Sequence, residues 1–312
     1  MSADRYRISL IVPIYGVEKY IERFAESALG QTYQDLQFVF VNDGTKDRSM
    51  DILRNMIDRD YSHLKDRIVL IDKQNEGLPA ARKTGLEHAE GEYVLFADSD
   101  DWMETDAVEK VMKKADQTDA DIIYFDLVKE YGHRTSYKKE REYTGATKDD
   151  FIVIIFNYKS FGYTVTKCFK RRLYTDNVIY IPKLGMHEDI YLMSQIIFHA
   201  KSLVHVPEAL YHYRKDNPDS FCAQDRLKRH VTSTTNQLDL YEHYRDSLKG
   251  SPIEKVAGSI LMRAGQHSII HDYDFFEKYP YLASDLRKTP LSFRYRTSFL
   301  MQIVVKIYSF FR

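Results

Sequence analysis

The sequence of 312 residues predicts an α/β fold, with helices flanking a mostly parallel sheet and a mostly helical region at the C-terminal end. Two observations predict it. Apolar runs alternate with amphipathic helical runs over residues 8–126, a rhythm typical of right-handed βαβ units. The regular alternation of strands and helices then ends, and helical patterns dominate the last third of the sequence. No linker rich in glycine, serine or proline separates the parts, so we expect both to complete one site.

Each element follows from its local pattern: short apolar runs predict strands, and apolar residues at helical spacing predict helices. The first part reads as strand 8–14, helix 18–31, strand 37–43, helix 47–59, strand 68–72, helix 78–89, strand 92–97, a helix from about 103 and strand 121–126. The second part reads as an exposed ribbon at 134–144, a helix near 149–157, strand-like segments at 162–169, 203–207 and 209–215, and helices at 188–200, 224–249 and 253–271.

The composition excludes several classes of protein. A net charge of −1 gives no sign of nucleic-acid binding, and 44% hydrophobic residues are ordinary for a globular protein. Two cysteines, Cys168 and Cys222, do not make a disulfide scaffold and fit a reducing compartment. The first residues lack a signal-like pattern, and no apolar run approaches the roughly 20 residues of a spanning helix. We therefore expect a cytoplasmic protein that binds no nucleic acid.

Three carboxylates follow directly after an apolar strand in "YVLFADSDDW" (93–102). Asp98, Asp100 and Asp101 repel one another unless a helix end, a basic group or a cation offsets their charge. Asp101 can cap the next helix, but that leaves Asp98 unexplained. Asp43 also ends a strand, and ligands of parallel sheets bind where strands end, so we expect a common crevice. Its carboxylates suit Mg²⁺ or Mn²⁺ holding a diphosphate.

Four segments then occur in order: "ISLIVPIYGVEKYI", "VFVNDGTKDRS", "NEGLPAARKTG" and "GEYVLFADSDDW". Their order and spacing resemble family 2 glycosyltransferases of the GT-A fold, a Rossmann-like and mostly parallel sheet. The likeness covers residues 8–130 and extends through "HEDIYL" (187–192). Gly16 and Lys83 stand where that family commonly has asparagine, and neither replaces a metal ligand or a base.

The resemblance implies an activity. Such an enzyme transfers a sugar, with inversion and with a divalent metal, from a nucleotide-sugar (most often a UDP-sugar) to a hydroxyl of a glycan acceptor. The acceptor is typically lipid-linked, and the products are capsule, exopolysaccharide or O-antigen. Two other functions remain open: a nucleotidyltransferase, and a sugar-nucleotide-binding or scaffold protein with low activity.

The resemblance also implies the donor-binding residues. Pro13 and Tyr15 would line the base pocket, and Asp43 would accept a hydrogen bond from the imide N–H of uracil. Arg82 would approach the nucleotide, and Asp98 would bind ribose or metal-bound water. Three of these residues also have an ordinary explanation: Asp43 starts an Asp-Gly turn, Tyr15 is packed, and Arg82 lies on a helix surface.

The metal and the base complete the implied site. Asp100 would bind Mn²⁺ or Mg²⁺ with help from Asp98, and His212 is a weaker candidate for the same shell. Asp189 would be the general base for the acceptor hydroxyl, with Glu188 orienting it or touching the acceptor. The alternatives are a packed histidine and two acids that merely favour the start of a helix.

Basic residues elsewhere give weaker signals. Arg214 and Lys215 could meet the diphosphate if their segment folds over the donor. Lys167 and Lys170 could face the acceptor, but surface charge is the favoured explanation for each.

The chain end differs in character from the rest. Between Leu286 and Arg312 there is no acidic residue but there are six basic ones: Arg287, Lys288, Arg294, Arg296, Lys306 and Arg312. "SFLMQIVVKIYSFFR" predicts an amphipathic helix whose polar stripe is Ser298, Gln302, Lys306 and Ser309. It would pack on the protein's own core, on a homodimer partner, or on a membrane surface. We predict a peripheral enzyme on the inner face of the cell membrane.

The predicted domains follow from these parts. Residues 1–220 form the catalytic domain, with a nucleotide-binding half at 1–130 and an acceptor half at 131–220. Residues 221–312 form the helical region, with the amphipathic end at 296–312.

Overall fold

The computed structural model describes residues 4–143, 162–183, 185–218, 220, 226–270, 274–291 and 299–312, together with 148, 152 and 155. Most of the helix predicted near 149–157 lies outside the described residues, as do Cys222 and residues 296–298 of the amphipathic end.

The described helices and strands alternate as predicted in the first part and become mostly helical in the second. In chain order they are β1 (Tyr6–Ile14), α1 (Ile21–Leu29), β2 (Leu36–Asn42), α2 (Ser49–Arg59), β3 (Ile68–Asp72), α3 (Leu78–His88), β4 (Gly91–Phe96), β5 (Trp102–Met103), α4 (Ala107–Thr118), β6 (Ile122–Glu130), β7 (Thr135–Lys138), β8 (Lys167–Lys170), α5 (Arg172–Thr175), α6 (Glu188–His199), β9 (Leu203–Arg214), α7 (Arg226–Tyr244), α8 (Ala257–Ile270), α9 (Phe275–Lys278), α10 (Tyr281–Lys288) and α11 (Phe299–Phe310).

Nine strands of the described part form one sheet in the order β3-β2-β1-β4-β8-β6-β9-β5, with β7 paired to β6. The first four are parallel, and Ile11 of β1 lies opposite Val39 of β2 and Phe96 of β4. β8 runs antiparallel to β4 and β6, whereas β9 is parallel to β6. The predicted α/β fold with a mostly parallel sheet is therefore confirmed.

Both faces of the central strands are covered, as their uninterrupted apolar runs require. Leu10 and Val12 of β1 belong to a core with α1, α2 and α4, whereas Ile11 belongs to a core with α3, α6 and the C-terminal helices. Helix α3 lies directly on β1 because Gly85 has no side chain: a Cβ there would come within 2.2 Å of Ile11 Cγ2. This close approach fixes α3, and with it Arg82 one turn earlier, against the sheet.

The edge of the sheet departs from the prediction. The two strands expected at 203–207 and 209–215 are one strand, β9, with irregular register near Asp126 of β6. The helix expected from residue 103 begins at Ala107, because Trp102 and Met103 pair with β9 as β5. Asp101 therefore does not cap that helix, and its carboxylate accepts a hydrogen bond from the backbone of Arg214 instead.

The final helix packs with its polar side inward. Gln302, Val305 and Ser309 of α11 are buried, and Val305 meets α8 at Gly265, where a Cβ would lie 2.4 Å from Val305 Cγ1. The apolar side faces outward. In the described part of the chain, every helix is too short or too polar to cross a bilayer.

Candidate functional site

The acidic loop after β4 is held by contacts from two other strands of the sheet, β1 and β9. Ser99 Oγ donates to the carbonyl of Pro13 at 2.8 Å, and the backbone N–H of Asp98 donates to the Tyr211 hydroxyl at 2.9 Å. The backbone N–H of Arg214 donates to Asp101 at 2.7 Å. Residues from β1 and β9 therefore fix the direction in which the carboxylates leave the sheet.

Asp100 lies in the most crowded part of this loop. Asn217 Nδ2 donates to its carboxylate at 2.7 Å, and Arg214 Nε donates to its backbone carbonyl at 2.8 Å. Burial, and then repulsion from Asp98, raises the pKa of Asp100. Burial and the neighbouring carboxylates likewise raise the pKa of Asp101 well above its usual range. The loop therefore has more negative charge than its own contacts offset.

This donor set fits a hard divalent cation. Carboxylate oxygens are the ligands that Mg²⁺ and Mn²⁺ prefer, and a cation would relieve the repulsion in the loop. Among the described residues, no three His, Cys, Asp or Glu side chains are arranged to hold a metal by themselves.

Arg82 connects the acidic loop to a second pair of acids. Its guanidinium donates to Asp98 at 2.6 Å and to Glu188, and its side chain is only 4% exposed. Burial alone would lower the pKa of Arg82, but Glu188 and Asp98 raise it, so the group stays charged. The alternative explanation of Arg82 as a helix-surface arginine is wrong, because α3 packs on β1 and directs this side chain into the protein.

Glu188 and Asp189 begin α6, beside Arg82. Burial raises the pKa of Glu188 and raises that of Asp189 to about 6, while the charge of Arg82 opposes both shifts. Asp189 accepts a hydrogen bond from the backbone N–H of Ile190 at 2.8 Å. A carboxylate with such a pKa is suited to accept a proton near neutral pH.

The residue before this pair is conformationally unusual. His187 has φ of 60°, a left-handed conformation that is uncommon for a residue other than glycine. Its Nδ1 lies 2.7 Å from Ser233 Oγ of α7, and Asn236 of α7 donates to the carbonyl of Met186 at 2.8 Å. Burial, followed by nearby cations, lowers the pKa of His187 to about 4. Helix α7 thus holds the turn that presents the acid pair, a role that sequence reasoning missed.

Asp43, at the end of β2, is buried and anchors the loop before α3. It accepts hydrogen bonds from the backbone N–H groups of Glu76 and Gly77 at 3.0 and 2.8 Å, and from Lys73 Nζ at 3.0 Å. Lys73 is a further residue that sequence reasoning missed, because no local pattern links it to Asp43. Tyr15 nearby is 53% exposed, so its explanation as a packed side chain is wrong.

His212 of β9 lies between two carboxylates of the protein itself. Its Nδ1 is 2.8 Å from Glu130 and its Nε2 is 2.9 Å from Glu104, and its ring stacks on Trp102 with centroids 5.0 Å apart. Both ring nitrogens are therefore engaged, and its place in a metal shell stays a prediction.

The prediction that Lys167 and Lys170 are surface charges is wrong, because both side chains are buried. Lys167 is only 1% exposed and pairs with Glu140, and the buried Lys170 pairs with Asp119 at 2.6 Å. Both lie on β8, which is enclosed between β4 and β6. Lys215 donates to the Tyr213 hydroxyl at 3.4 Å, whereas Arg214 contacts the acidic loop.

Sequence comparison with known proteins identifies glycosyltransferases as relatives of this chain. Residues 9–180 match the family described as "Glycosyl transferase family 2". The chain is 34% identical to "Glycosyltransferase GlyA" of Streptococcus pneumoniae over 67% of this chain and 30% of that protein. It therefore spans less than a third of the length of GlyA.

Solved structures share the fold. S. aureus TarS 1-349, crystallised with UDP-GlcNAc, superposes with a TM-score of 0.66 and 19% identity, covering 97% of this chain and 89% of that one. A mannosyltransferase of Pyrobaculum calidifontis in complex with GDP-Man and Mn²⁺ gives a TM-score of 0.54 and 17% identity, covering 98% and 86%. At these identities the likeness concerns the fold.

Proposed function

The chain belongs to glycosyl transferase family 2, and from this membership and its site we propose that it transfers a sugar from a nucleotide-sugar to a hydroxyl of a glycan acceptor. We propose a UDP-sugar as donor, transfer with inversion, and a product that is a cell-surface polysaccharide. The UDP-GlcNAc bound to TarS, which shares the fold, supports the choice of donor.

One observation carries this proposal: Arg82 contacts both the acidic loop and the acid pair. Asp98 lies on the donor side and Glu188 beside the candidate base, and one buried guanidinium holds both. The two groups that such a transfer needs, one beside the leaving diphosphate and one beside the acceptor hydroxyl, are thus fixed relative to each other. Asp43, Pro13 and the exposed Tyr15 lie at the ends of β1 and β2, where the nucleotide base would bind.

Asp100 and Asp98 would hold the divalent cation. When bound, Mn²⁺ or Mg²⁺ would act as a Lewis acid that stabilises the negative charge of the departing diphosphate. The Mn²⁺ of the Pyrobaculum neighbour supports this choice of ion.

Asp189 would take the proton of the acceptor hydroxyl as that oxygen attacks the anomeric carbon. The bond from this carbon to the diphosphate oxygen breaks at the same time, and its electron pair leaves with the nucleoside diphosphate. Glu188, paired with Arg82, would keep the α6 end in place beside the acceptor.

The test is a screen of UDP-, GDP- and dTDP-sugars for hydrolysis and transfer, with Mn²⁺, with Mg²⁺ and with chelator. We expect activity with one donor class, its loss with chelator, and its near-abolition in Asp100→Asn. Asp35→Asn, an exposed acid elsewhere, is the matched control and should behave like the wild type. Full activity in excess chelator would contradict the metal, and inactivity with every donor would contradict the proposed function.

We further propose that α11 binds the enzyme to an anionic membrane surface, where a lipid-linked acceptor would be found. The outward side chains of α11, and that of Phe311 directly after it, are exposed: Leu300 71%, Val304 39%, Ile307 54%, Phe310 65% and Phe311 80%. Cationic groups flank this apolar face, since the Arg287 guanidinium lies 5.5 Å from the Phe310 ring and Lys306 Nζ donates to the Arg287 carbonyl. Apolar burial and about 1 kcal/mol per basic residue would favour an anionic bilayer.

The membrane proposal is tested by sedimentation with vesicles. The wild type should bind vesicles of anionic phospholipid at low salt and bind zwitterionic vesicles much less. The triple variant Ile307→Ser, Phe310→Ser and Phe311→Ser should stay in solution and remain folded, because these side chains are exposed. Val178→Ser, which removes an apolar side chain that is 77% exposed elsewhere, is the control. A wild type that ignores vesicles but forms dimers, which the triple variant loses, would contradict the membrane assignment and favour a homodimer.

A further inference from the structure

Two helices of the C-terminal region bring basic side chains close to His187, the residue before the acid pair. Ser233 of α7 contacts His187, and Arg229 lies one helical turn before Ser233 on the same face. The contact therefore directs this face of α7 toward the turn that presents Glu188 and Asp189.

Helix α8 adds to the same group. The His230 and His267 rings lie 5.2 Å apart, and His267 Nδ1 is 2.7 Å from Thr234 Oγ1 of α7. Arg263 lies one turn before His267 on α8. Arg229, His230, Arg263 and His267 form what we call the α7–α8 basic cluster.

The cluster creates a positive field at His187. After burial, the charges of Arg263, His230 and Arg229 are the causes that lower the pKa of His187. Arg229 makes no ion pair with any described residue, and its Nε is buried without a hydrogen-bond partner among them. Arg229 as a whole is partly exposed, so an anion from solution can reach its guanidinium, and a buried Nε without an acceptor is costly until one is supplied.

We infer that the α7–α8 basic cluster is an acceptor subsite that binds a phosphate or diphosphate group of the acceptor molecule. This inference rests on the proposed function, since it needs Asp189 to receive the proton of the acceptor hydroxyl. Guanidinium groups bind phosphate oxygens through paired, charge-assisted hydrogen bonds. The cluster adjoins His187, two residues before Asp189, so the bound phosphate would lie close to the hydroxyl that reacts.

Binding of inorganic phosphate is the first test, measured by calorimetry on protein saturated with UDP so that the donor site is filled. Arg229→Gln and Arg263→Gln should each weaken phosphate binding by about tenfold or more, and Arg229→Lys should retain part of it. Lys228→Gln removes an equal charge from an exposed neighbouring position and should bind phosphate like the wild type. Unchanged binding in both glutamine variants, or equal loss in Lys228→Gln, would overturn the inference.

Kinetics with three acceptors distinguish the possible sources of the phosphate. The same sugar is offered free, linked through diphosphate to a short prenyl chain, and linked to an oligomer of glycerol phosphate. In Arg229→Gln the KM for a phosphate-bearing acceptor should rise relative to the KM for the free sugar by about tenfold or more. A rise for the prenyl diphosphate identifies a lipid carrier, and a rise for the oligomer identifies a polymer phosphate. An equal rise for all three acceptors would overturn the inference.

These outcomes are separate from the fate of the proposed function. If the wild type hydrolysed no nucleotide-sugar, the proposed function would fail whatever the phosphate titration showed. If the wild type transferred sugar but Arg229→Gln changed neither phosphate binding nor the KM ratio, only the subsite would fail.

Discussion

The site contains two groups of acids whose negative charge is offset to different extents by other residues of the chain. In the loop at Asp98–Asp101, Asp98 pairs with Arg82, whereas Asp100 and Asp101 accept hydrogen bonds from Asn217 and from a backbone N–H and form no ion pair with a described residue. The pair Glu188–Asp189 lies beside a buried guanidinium that offsets its charge from within the chain. Under the proposed function, Asp100 would therefore receive its counter-charge from a bound cation, whereas the acid pair at the start of α6 already has a counter-charge within the chain.

Arg82 makes the two groups interdependent. It pairs with one carboxylate from each, and Gly85 allows the helix that carries it to lie against β1. We therefore expect a substitution within one group of acids to change only the step that this group serves. Loss of Arg82 should disturb both groups of acids.

The largest effect is expected from Asp189→Asn. The amide cannot accept the proton of the acceptor hydroxyl, so kcat should fall by roughly 10²–10⁴. Binding of UDP, measured by calorimetry, should stay close to that of the wild type. If Glu188→Gln lost turnover while Asp189→Asn kept it, the roles within the pair would be reversed.

Arg82→Gln should break the connection between the two groups. Glu188 would be left as a buried charge without its partner, which costs about 3–5 kcal/mol of the free energy of unfolding. Urea unfolding followed by circular dichroism measures this loss. Arg48→Gln, an exposed arginine at the start of α2, should change stability little, and equal stability of the two variants would contradict the buried role of Arg82.

The dependence of kcat on pH tests whether Asp189 is the base. A base works only when deprotonated, and the pKa of Asp189 is raised to about 6, so kcat should fall as pH drops below about 6 and level off above it. Because Arg82 lowers this pKa, any folded Arg82→Gln protein should show its midpoint at higher pH. A midpoint near pH 4 in the wild type would contradict a buried base.

The smallest effect is expected from Asn217→Ala. It removes the hydrogen bond that Asn217 donates to Asp100, worth about 1 kcal/mol, and raises the pKa of that carboxyl further. Activity titrated with Mn²⁺ should therefore require a several-fold higher metal concentration, with little change in kcat at saturation. A large fall in kcat at saturating Mn²⁺ would show that Asn217 does more than support Asp100.

Sequence patterns predicted most of β1 to β4 because apolar periodicity is a local signal. The positions of Asp43 and Asp98 followed from the rule that the carboxyl ends of parallel strands share one edge. The burial of Arg82 could not be read in this way, since its partner Glu188 lies far along the chain. The same holds for Lys167, whose burial depends on the place of β8 between β4 and β6.

The amphipathic pattern of α11 was visible in the sequence, but its orientation was not. Periodicity shows that a helix has two faces without showing which one meets the protein. The structure places Gln302 and Ser309 inside, because Gly265 lets Val305 approach α8 closely and the polar side chains follow it inward.

This orientation has an evolutionary consequence. The contacts that hold α11 in place come from the inward side of the helix, so Leu300, Ile307 and Phe310 contribute little to folding. Substitutions at these positions can accumulate or be selected without loss of the catalytic domain. Under the membrane proposal, the surface that α11 binds can therefore diverge between relatives while the site at Arg82 stays unchanged. The same freedom allows the target of α11 to be changed by substitutions on one face of one helix.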